Sequence, residues 1–384
     1  MMKTLKARDI AILLGLFLGG GLFALSVHQT ADFSPEDAAL GPFTVARDAV
    51  FEGLPVIFRN GDGMGKAREV FRSRLQERKQ LALWLGASHL YSINNYHPGE
   101  EIAVYHANKK ARERSSPISY LGIGLPNGNL NEFLAIFLHL REAGLLPTWL
   151  IIGVVYDDLR EPGIRPKVRK LAPGLDLAGG KGLGVGGGNL HGKTDGLERD
   201  REKGSAIEDT PQERLEKLVV GELEKGWVTF ASRHRLSAFI NWKLRTHIFS
   251  VGEAFRKMGN PAKRVPPVPL DLKQWNEGAL DEILRIARED EIEVVLYKAP
   301  HPQVAGPFYH IRKRYDGFFE QLENRCGSEG IHYLDIETLV PLEYWMFGTA
   351  IDPWHFQEKG HRLLAEAIDS AMQNIEEKDK NALQ

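Results

Sequence analysis

Short apolar runs that end in glycine or in a polar turn recur along this chain, and they constrain its fold more than any other feature. The runs occupy residues 81–86, 118–125, 148–156, 292–300 and 331–337. Runs of this length and composition are typical of strands buried on both faces. Because helical patterns lie between them, we predict β–α–β crossovers and an α/β fold, a three-layer α/β/α sandwich around a mostly parallel five-stranded sheet.

Helical periodicity is clearest in three segments between or after these runs. The first follows the second run, where Asn129 or Asn131 can cap its start and Gly144 can end it. The others cover residues 279–290 and 360–372. In parallel sheets ligands bind beyond the carboxyl ends of the strands, so the residues that directly follow each strand are candidates for a site.

The amino terminus carries an apolar run long enough to span a membrane. Basic residues within 1–9 precede an uncharged run over 10–27, whose eighteen residues would form a helix about 27 Å long. No clear small-residue cleavage site follows, so we favour a transmembrane signal anchor over a cleaved signal peptide. The charge distribution predicts a cytoplasmic 1–9 and an extracytoplasmic remainder, periplasmic or at the cell surface. Residues 28–80 form a membrane-proximal segment to which the sequence assigns no role.

The remaining domain is expected over residues 81–375, with an insertion at about 165–275. The insertion begins with a Gly-rich stretch in which residues 187–194 fit the P-loop pattern. No apolar strand precedes this match and no apolar helix follows it, so we interpret it as a chance match. Residues 211–259 look helical, with aromatic side chains among basic ones. They could serve as a lid, as a partner-docking or membrane-surface element, or as helices packed on the core.

Composition and motifs give no support for a nucleic-acid partner, an intrachain disulfide or a metal site. Lys and Arg total 49 against 51 Asp and Glu, a net charge of −2, which gives no reason to propose nucleic acid as a partner. The single cysteine, Cys326, cannot form an intrachain disulfide and lies in a polar context, so we interpret it as structural or incidental. No HExxH motif or paired cysteines indicate a metal site, and no cofactor is expected.

Ser88 directly follows the first apolar run, in the sequence Gly-Ala-Ser. A serine at the carboxyl end of a strand is exposed at the sheet edge, but it needs a neighbouring base and an acid to orient that base. On Ser88 alone, a helix-capping role remains an equal alternative.

Asp352 and His355 supply that acid and base. They lie three residues apart before the last helical segment. This spacing lets the carboxylate hold one imidazole nitrogen while the other faces a serine. Together with Ser88 they predict a Ser–His–Asp catalytic triad.

These two motifs resemble the first and last blocks of the SGNH (GDSL-like) hydrolases. The resemblance implies an SGNH/flavodoxin-like fold, with Ser88 as nucleophile, His355 as general base and acid, and Asp352 as its orienting partner. It also implies an oxyanion hole, which we assign to Ser88, Gly128 and Asn127, preferring Gly128 to Gly124.

The third block of the family usually reads G-x-N-D, and this chain departs from it. The stretch Gly153-Val-Val-Tyr156-Asp157 has tyrosine or aspartate where the asparagine donor is expected, which argues against high esterase turnover. Either Asn127 or Asn129 replaces the missing donor, or the oxyanion hole is incomplete.

Four further residues are predicted to contact substrate: His89, Asp157, Asp158 and Trp354. His301, after the fourth run, lies at the functional end of the sheet and could contact substrate, but we favour a loop histidine without a chemical task.

The resemblance is strongest to exported accessory proteins of membrane-bound O-acyltransferase systems, of the alginate O-acetylation or teichoic acid D-alanylation type. It implies a membrane-anchored serine esterase or O-acyltransferase that acts on acyl esters of a cell-envelope or secreted glycan. A non-catalytic scaffold that partners a multi-pass membrane O-acyltransferase is the alternative.

Overall fold

A computed structural model describes residues 40, 44–59, 63–77, 80–159, 163–171, 270–303, 312–347 and 350–382. The strands, in chain order, are β1 Thr44–Ala46, β2 Val50–Phe51, β3 Leu54–Pro55, β4 Ile57–Arg59, β5 Gln80–Gly86, β6 Ser92–Asn94, β7 Ile118–Gly124, β8 Trp149–Val154, β9 Glu293–Lys298, β10 His332–Asp335, β11 Met346–Phe347 and β12 Ala350–Ile351. The helices are α1 Met64–Gln76, α2 Ala103–Glu113, α3 Leu130–Glu142, α4 Pro166–Arg169, α5 Leu270–Glu289, α6 Arg312–Glu329 and α7 Glu358–Ala382.

The central sheet has the spatial order β10-β9-β8-β5-β7-β4, and every neighbouring pair in it is parallel. Without β4, this is the 2-1-3-4-5 order of flavodoxin-like folds. The α/β class and the parallel sheet are therefore confirmed. In this order the chain changes direction across the sheet between β5 and β8, which places the residues after β5 in the crevice where such folds bind ligands.

The predicted number of strands was wrong, because within the described residues the sheet has six strands and not five. The additional strand, β4, pairs in parallel with β7 through Ile57 and Gly122. It has three residues, two of them buried, and is too short to give a recognisable apolar run. Residues before Leu81 thus contribute a strand to the sheet, and Phe71 of α1 is buried in the main core.

Helices cover both faces of the sheet. Side chains of successive strand residues alternate between the faces, and Leu83 belongs to a core that it shares with buried residues of α1, α3, α5 and α6. On the opposite face α2 lies against β7 and α7 lies against α2. The structure also confirms the predicted ends of α3: Asn129 Oδ1 accepts a hydrogen bond from the N–H of Glu132, and Gly144 follows the helix at a φ of +67°.

Several predictions fall outside the described residues. The expected anchor at 10–27, most of the insertion at 165–275 and the P-loop match at 187–194 all do so. Within the ranges that the structure describes, no helix is both long and apolar enough to cross a bilayer.

Candidate active site

Ser88 lies where the sequence predicts, directly beyond the carboxyl end of β5. It is half-buried and opens a short 3₁₀ helix, Ser88–Leu90. The strand ends at Gly86, where an added Cβ would lie 3.3 Å from the Cβ of Leu90, so a residue without a side chain lets the turn fold back closely. The backbone oxygen of Ser88 is held in place by the hydroxyl of Ser92, which donates to it at 2.5 Å.

The structure brings Ser88 together with the predicted acid and base. Ser88 Oγ lies 3.1 Å from His355 Nε2, although the two residues are 267 positions apart. His355 Nδ1 lies 3.0 Å from Asp352 Oδ2. Asp352 and His355 belong to the loop between β12 and α7, and the imidazole of His355 is buried.

The acid of this arrangement is ionised and firmly held. Oδ1 of Asp352 accepts the backbone N–H groups of Trp354, at 2.9 Å, and His355, at 3.2 Å. Oδ2 accepts His355 Nδ1 and also the hydroxyl of Thr44, at 3.0 Å. Burial raises the pKa of Asp352, but these hydrogen bonds outweigh burial and hold the pKa below its ordinary value.

Ionisation of Asp352 determines the tautomer of His355. A carboxylate only accepts hydrogen bonds, so Nδ1 carries the proton. In the neutral imidazole Nε2 is then the acceptor and takes the hydrogen bond of the Ser88 hydroxyl. This is the arrangement that lets a serine transfer its proton to the histidine as it attacks a carbonyl carbon.

His89 lies beside the nucleophile but points into the protein. It is 6% exposed, and its Nε2 has no hydrogen-bond partner among the described residues. An added Cβ at Gly86 would lie 3.6 Å from this nitrogen, so the ring lies against the end of β5. Burial, and secondly the proximity of His355, lower the pKa of His89 to about 4, which keeps the ring neutral near pH 7. Contact with substrate remains a prediction for His89.

Two hydrogen-bond donors of the turn after β7, the N–H of Gly128 and the amide of Asn129, bond to backbone oxygens of the protein. The N–H of Gly128 donates to the oxygen of Leu125 at 3.1 Å. Asn127 is exposed at a φ of +46°, and the side-chain amide of Asn129 donates to the oxygen of Gly163 at 2.8 Å. Gly128 and Asn129 thus stabilise the loop in this structure. The single N–H of Gly128 would have to leave Leu125 before it could donate to an oxyanion, whereas the amide of Asn129 has a second N–H. The N–H of Ser88 opens a 3₁₀ helix, a position without a partner inside the helix.

Two residues of the stretch after β8, Tyr156 and Asp158, are buried. The ring of Tyr156 is buried, with its centroid 6.1 Å from that of Tyr315 and 6.0 Å from that of Phe318. Asp158 is buried and accepts the N–H of Val155 at 2.8 Å, closing the turn after β8. This contact gives Asp158 a structural role, whereas substrate contact remains a prediction for it and for the half-buried Asp157.

Trp354 presents apolar surface next to the base. It is 36% exposed, among the few large apolar side chains so exposed in the described ranges, and directly precedes His355. An exposed aromatic ring beside His355 is suited to contact a substrate.

No sequence pattern points to Thr44, Ser92 and Asn94, whose side chains form hydrogen bonds around the site. Each is short and polar and lies in a three-residue strand, β1 or β6. Their partners are set by tertiary structure, and no spacing pattern identifies them.

Another potential nucleophile, Cys326, is buried in α6. Burial raises the pKa of its thiol to about 11, so it is protonated near pH 7 and a poor nucleophile. In the described part of the chain, no group of three or more His, Cys, Asp or Glu residues is arranged to hold a metal ion.

No protein-family model matches this sequence, and no curated protein matches it. Among solved structures, it is similar to a GDSL-like lipase from Bacteroides thetaiotaomicron, with 9% identity, a TM-score of 0.35, and coverage of 80% of this chain and 98% of that one. A proposed lipolytic protein of the G-D-S-L family from Desulfitobacterium hafniense has 11% identity and a TM-score of 0.35, with coverage of 76% and 99%. An α/β hydrolase enzyme from the metagenome of Lake Arreo has 11% identity and a TM-score of 0.36, with coverage of 76% and 94%. Because these scores are low, the functional assignment rests on the geometry of Ser88, His355 and Asp352.

Proposed function

We propose that this chain is a serine esterase or O-acyltransferase that works through an acyl-Ser88 intermediate. The observation that carries the proposal is the 3.1 Å separation of Ser88 Oγ and His355 Nε2, with Asp352 bound to the other ring nitrogen. Serine is a weak nucleophile unless a positioned base accepts its proton, and this arrangement supplies the base and its orienting acid.

In the first half of the reaction Ser88 Oγ attacks the carbonyl carbon of an ester. The proton of the hydroxyl passes to His355 Nε2, and the carboxylate of Asp352 stabilises the resulting imidazolium. The tetrahedral intermediate collapses as His355 returns that proton to the leaving alkoxide. An alcohol departs, and the acyl group remains as an ester on Ser88.

The negative charge on the tetrahedral oxygen needs hydrogen-bond donors. The N–H of Ser88, at the start of its 3₁₀ helix, is one donor for this oxygen, and the exposed amide of Asn127 is the second that we assign. Losing one donor of such a hole costs on the order of 3 kcal/mol of transition-state stabilisation. With the N–H of Gly128 bonded to Leu125, we expect slow turnover on simple esters.

In the second half an incoming hydroxyl attacks the acyl-enzyme. His355 Nε2 takes the proton of that hydroxyl, and then gives it to Ser88 Oγ as the acyl group leaves. With water as acceptor the reaction is hydrolysis. With a sugar hydroxyl as acceptor it is O-acyl transfer.

The proposed substrate is an acyl ester of a cell-envelope or secreted glycan. Two observations support this class: the apolar run at 10–27, suited to anchor the chain in a membrane, and the exposed ring of Trp354 beside His355, suited to stack against a sugar. The proposal includes an extracytoplasmic catalytic domain and a multi-pass membrane O-acyltransferase as partner.

Hydrolysis of p-nitrophenyl acetate by the purified full chain in detergent micelles tests the catalytic proposal. Ser88→Ala should reduce the rate to that of the buffer. Ser328→Ala, which changes an exposed serine of α6, should retain the wild-type rate. A Ser88→Ala protein as fast as wild type would exclude an acyl-Ser88 mechanism.

A scaffold that keeps the fold without catalysis is the second candidate. It is favoured by the third block, where Tyr156 is packed among aromatic rings and offers no amide donor to the site. Expression of Ser88→Ala in cells that lack the native chain separates the candidates. Restored acylation of the envelope would support the scaffold, and unrestored acylation at normal protein level would support catalysis.

A further inference from the structure

Thr44 lies in a strand far from the triad in sequence but next to it in space. It belongs to β1, which pairs antiparallel with β6 so that Thr44 faces Asn94. The residue is 7% exposed. Its hydroxyl donates to Asp352 Oδ2 at 3.0 Å, across 308 positions of sequence.

Thr44 differs from the other donors to Asp352 in where it is attached. The N–H groups of Trp354 and His355 and the ring of His355 belong to the same loop as the carboxylate, so they move with it. Thr44 belongs to a different part of the fold. Its hydrogen bond therefore fixes the loop relative to its surroundings, which the other donors cannot do.

The strand that pairs with β1 leads directly to the nucleophile. β6 begins at Ser92, whose hydroxyl donates to the backbone oxygen of Ser88 at 2.5 Å. A continuous path of bonds thus runs from Asp352 through Thr44 and the β1–β6 ladder to the turn that carries Ser88.

We infer that Thr44 is a positioning residue, which sets the Asp352–His355 pair at the distance from Ser88 that proton transfer requires. This inference rests on the proposed acyl-transfer function. Thr44 acts through Asp352 and takes no part in bond making or breaking. Under this inference, a strand that precedes the main sheet in the sequence contributes a residue to the site.

Three variants separate positioning from a general contribution to stability. Thr44→Val keeps the shape and the β-branched side chain but removes the donor, Thr44→Ser keeps the donor, and Val45→Thr adds a hydroxyl at the neighbouring exposed position of β1. The readouts are kcat and KM for p-nitrophenyl acetate, measured on the full chain in detergent micelles.

We expect Thr44→Val to lower kcat about tenfold with KM changed less than about twofold, because the lost contact orients a catalytic group and binds no substrate. Thr44→Ser should recover kcat to within about threefold of wild type, and Val45→Thr should match wild type. A Thr44→Val protein with wild-type kcat would overturn the inference. If Thr44→Val does not fold, as judged by its thermal melt, Thr44→Ala takes its place under the same criteria.

A double-mutant cycle with Asp352→Asn tests whether Thr44 works through that carboxylate. In the Asp352→Asn background, Thr44→Val should lower kcat by less than about twofold, since the ion that it orients is absent. A full tenfold loss there would show that Thr44 acts independently of Asp352 and would overturn the inference. Loss of activity in Ser88→Ala with full activity in Thr44→Val would reject this inference alone, whereas an active Ser88→Ala would reject the proposed function itself.

Discussion

The side-chain amide of Asn94 donates a hydrogen bond to the backbone oxygen of Trp345 across 3.2 Å. The same oxygen accepts the backbone N–H of Asp352 at 2.9 Å, and the N–H of Asn94 donates to the oxygen of Phe356 at 3.0 Å. One buried asparagine therefore connects the strand that follows the nucleophile with both ends of the loop that carries the acid and the base.

Replacing Asn94 with alanine should destabilise the protein and slow its chemistry. Asn94 is 1% exposed, and without its amide the oxygen of Trp345 keeps the N–H of Asp352 as a donor, so we expect the net loss of one hydrogen bond, about 0.5–1.5 kcal/mol in the free energy of unfolding. Urea unfolding measures this change. A difference below about 0.5 kcal/mol would show that the bond contributes little.

Asp352→Asn should leave the fold in place and lower kcat by about two to four orders of magnitude. The amide cannot stabilise an imidazolium, and it favours the wrong tautomer of His355. Asp48→Asn is the matched control, because Asp48 is an exposed carboxylate paired with Arg59. Equal kcat for both variants would remove Asp352 from the mechanism.

The free energy of unfolding should fall as the pH is lowered from about 6.5 towards about 3, partly because of His361. This buried ring donates through Nε2 to the oxygen of Ser92 and accepts the N–H of Ala103 at Nδ1, so a second proton would break a bond. Burial, with the nearby His106, His89 and His355, lowers the pKa of His361 to about 3.

Because the folded pKa is depressed, the unfolded chain binds more protons in that pH range, and each such histidine contributes a slope of at most about 1.4 kcal/mol per pH unit. Chemical denaturation of His361→Gln at pH 7, 6, 5 and 4 should show a shallower decline than wild type. His97→Gln, which changes an exposed imidazole in the same way, is the control. An unchanged slope in His361→Gln would contradict the assignment.

Gly153→Ala should destabilise the sheet. Gly153 faces Tyr297 across β8 and β9, and an added Cβ would lie 2.3 Å from the tyrosine hydroxyl. That hydroxyl is buried and accepts the indole N–H of Trp84 at 3.0 Å, so the ring cannot move without losing a bond. We expect a loss of about 1–3 kcal/mol in the free energy of unfolding.

Gly65→Ala provides the comparison for that measurement. Gly65 is exposed in the first turn of α1 with nothing within 4 Å of an added Cβ, so alanine should stabilise the protein by at most about 0.5–1 kcal/mol, the value for a helix interior. Equal effects at the two glycines would show that contact with Tyr297 is unimportant.

The geometry of the candidate site can be predicted from the sequence only in part. Ser88 and the Asp352–His355 pair could be predicted because each lies at a recognisable position, after a buried strand or before the last helix. Thr44 could not, since a threonine in a three-residue strand carries no signal of a partner 308 residues away. The edge strand β4 was missed for the same reason, because its pairing with β7 is entirely non-local.

The hydrogen-bond partners of the expected oxyanion donors could not be predicted from the sequence either. Gly128 is predicted from its place in a turn after the second apolar run, and it lies in that turn. The sequence does not reveal which acceptor a backbone N–H will find, and in this structure the turn closes on Leu125. Tyr156 similarly occupies the expected position after β8, but packing against Tyr315 directs its ring into the protein.

Covalent labelling with a serine-directed fluorophosphonate, followed by mass mapping of the modified peptide, tests the central claim most directly. With Ser88 activated by His355, the wild-type chain should carry one adduct, on Ser88. Ser88→Ala should carry none, and His355→Ala should react far more slowly. An unlabelled wild-type protein, or the same labelling in Ser88→Ala, would contradict the account.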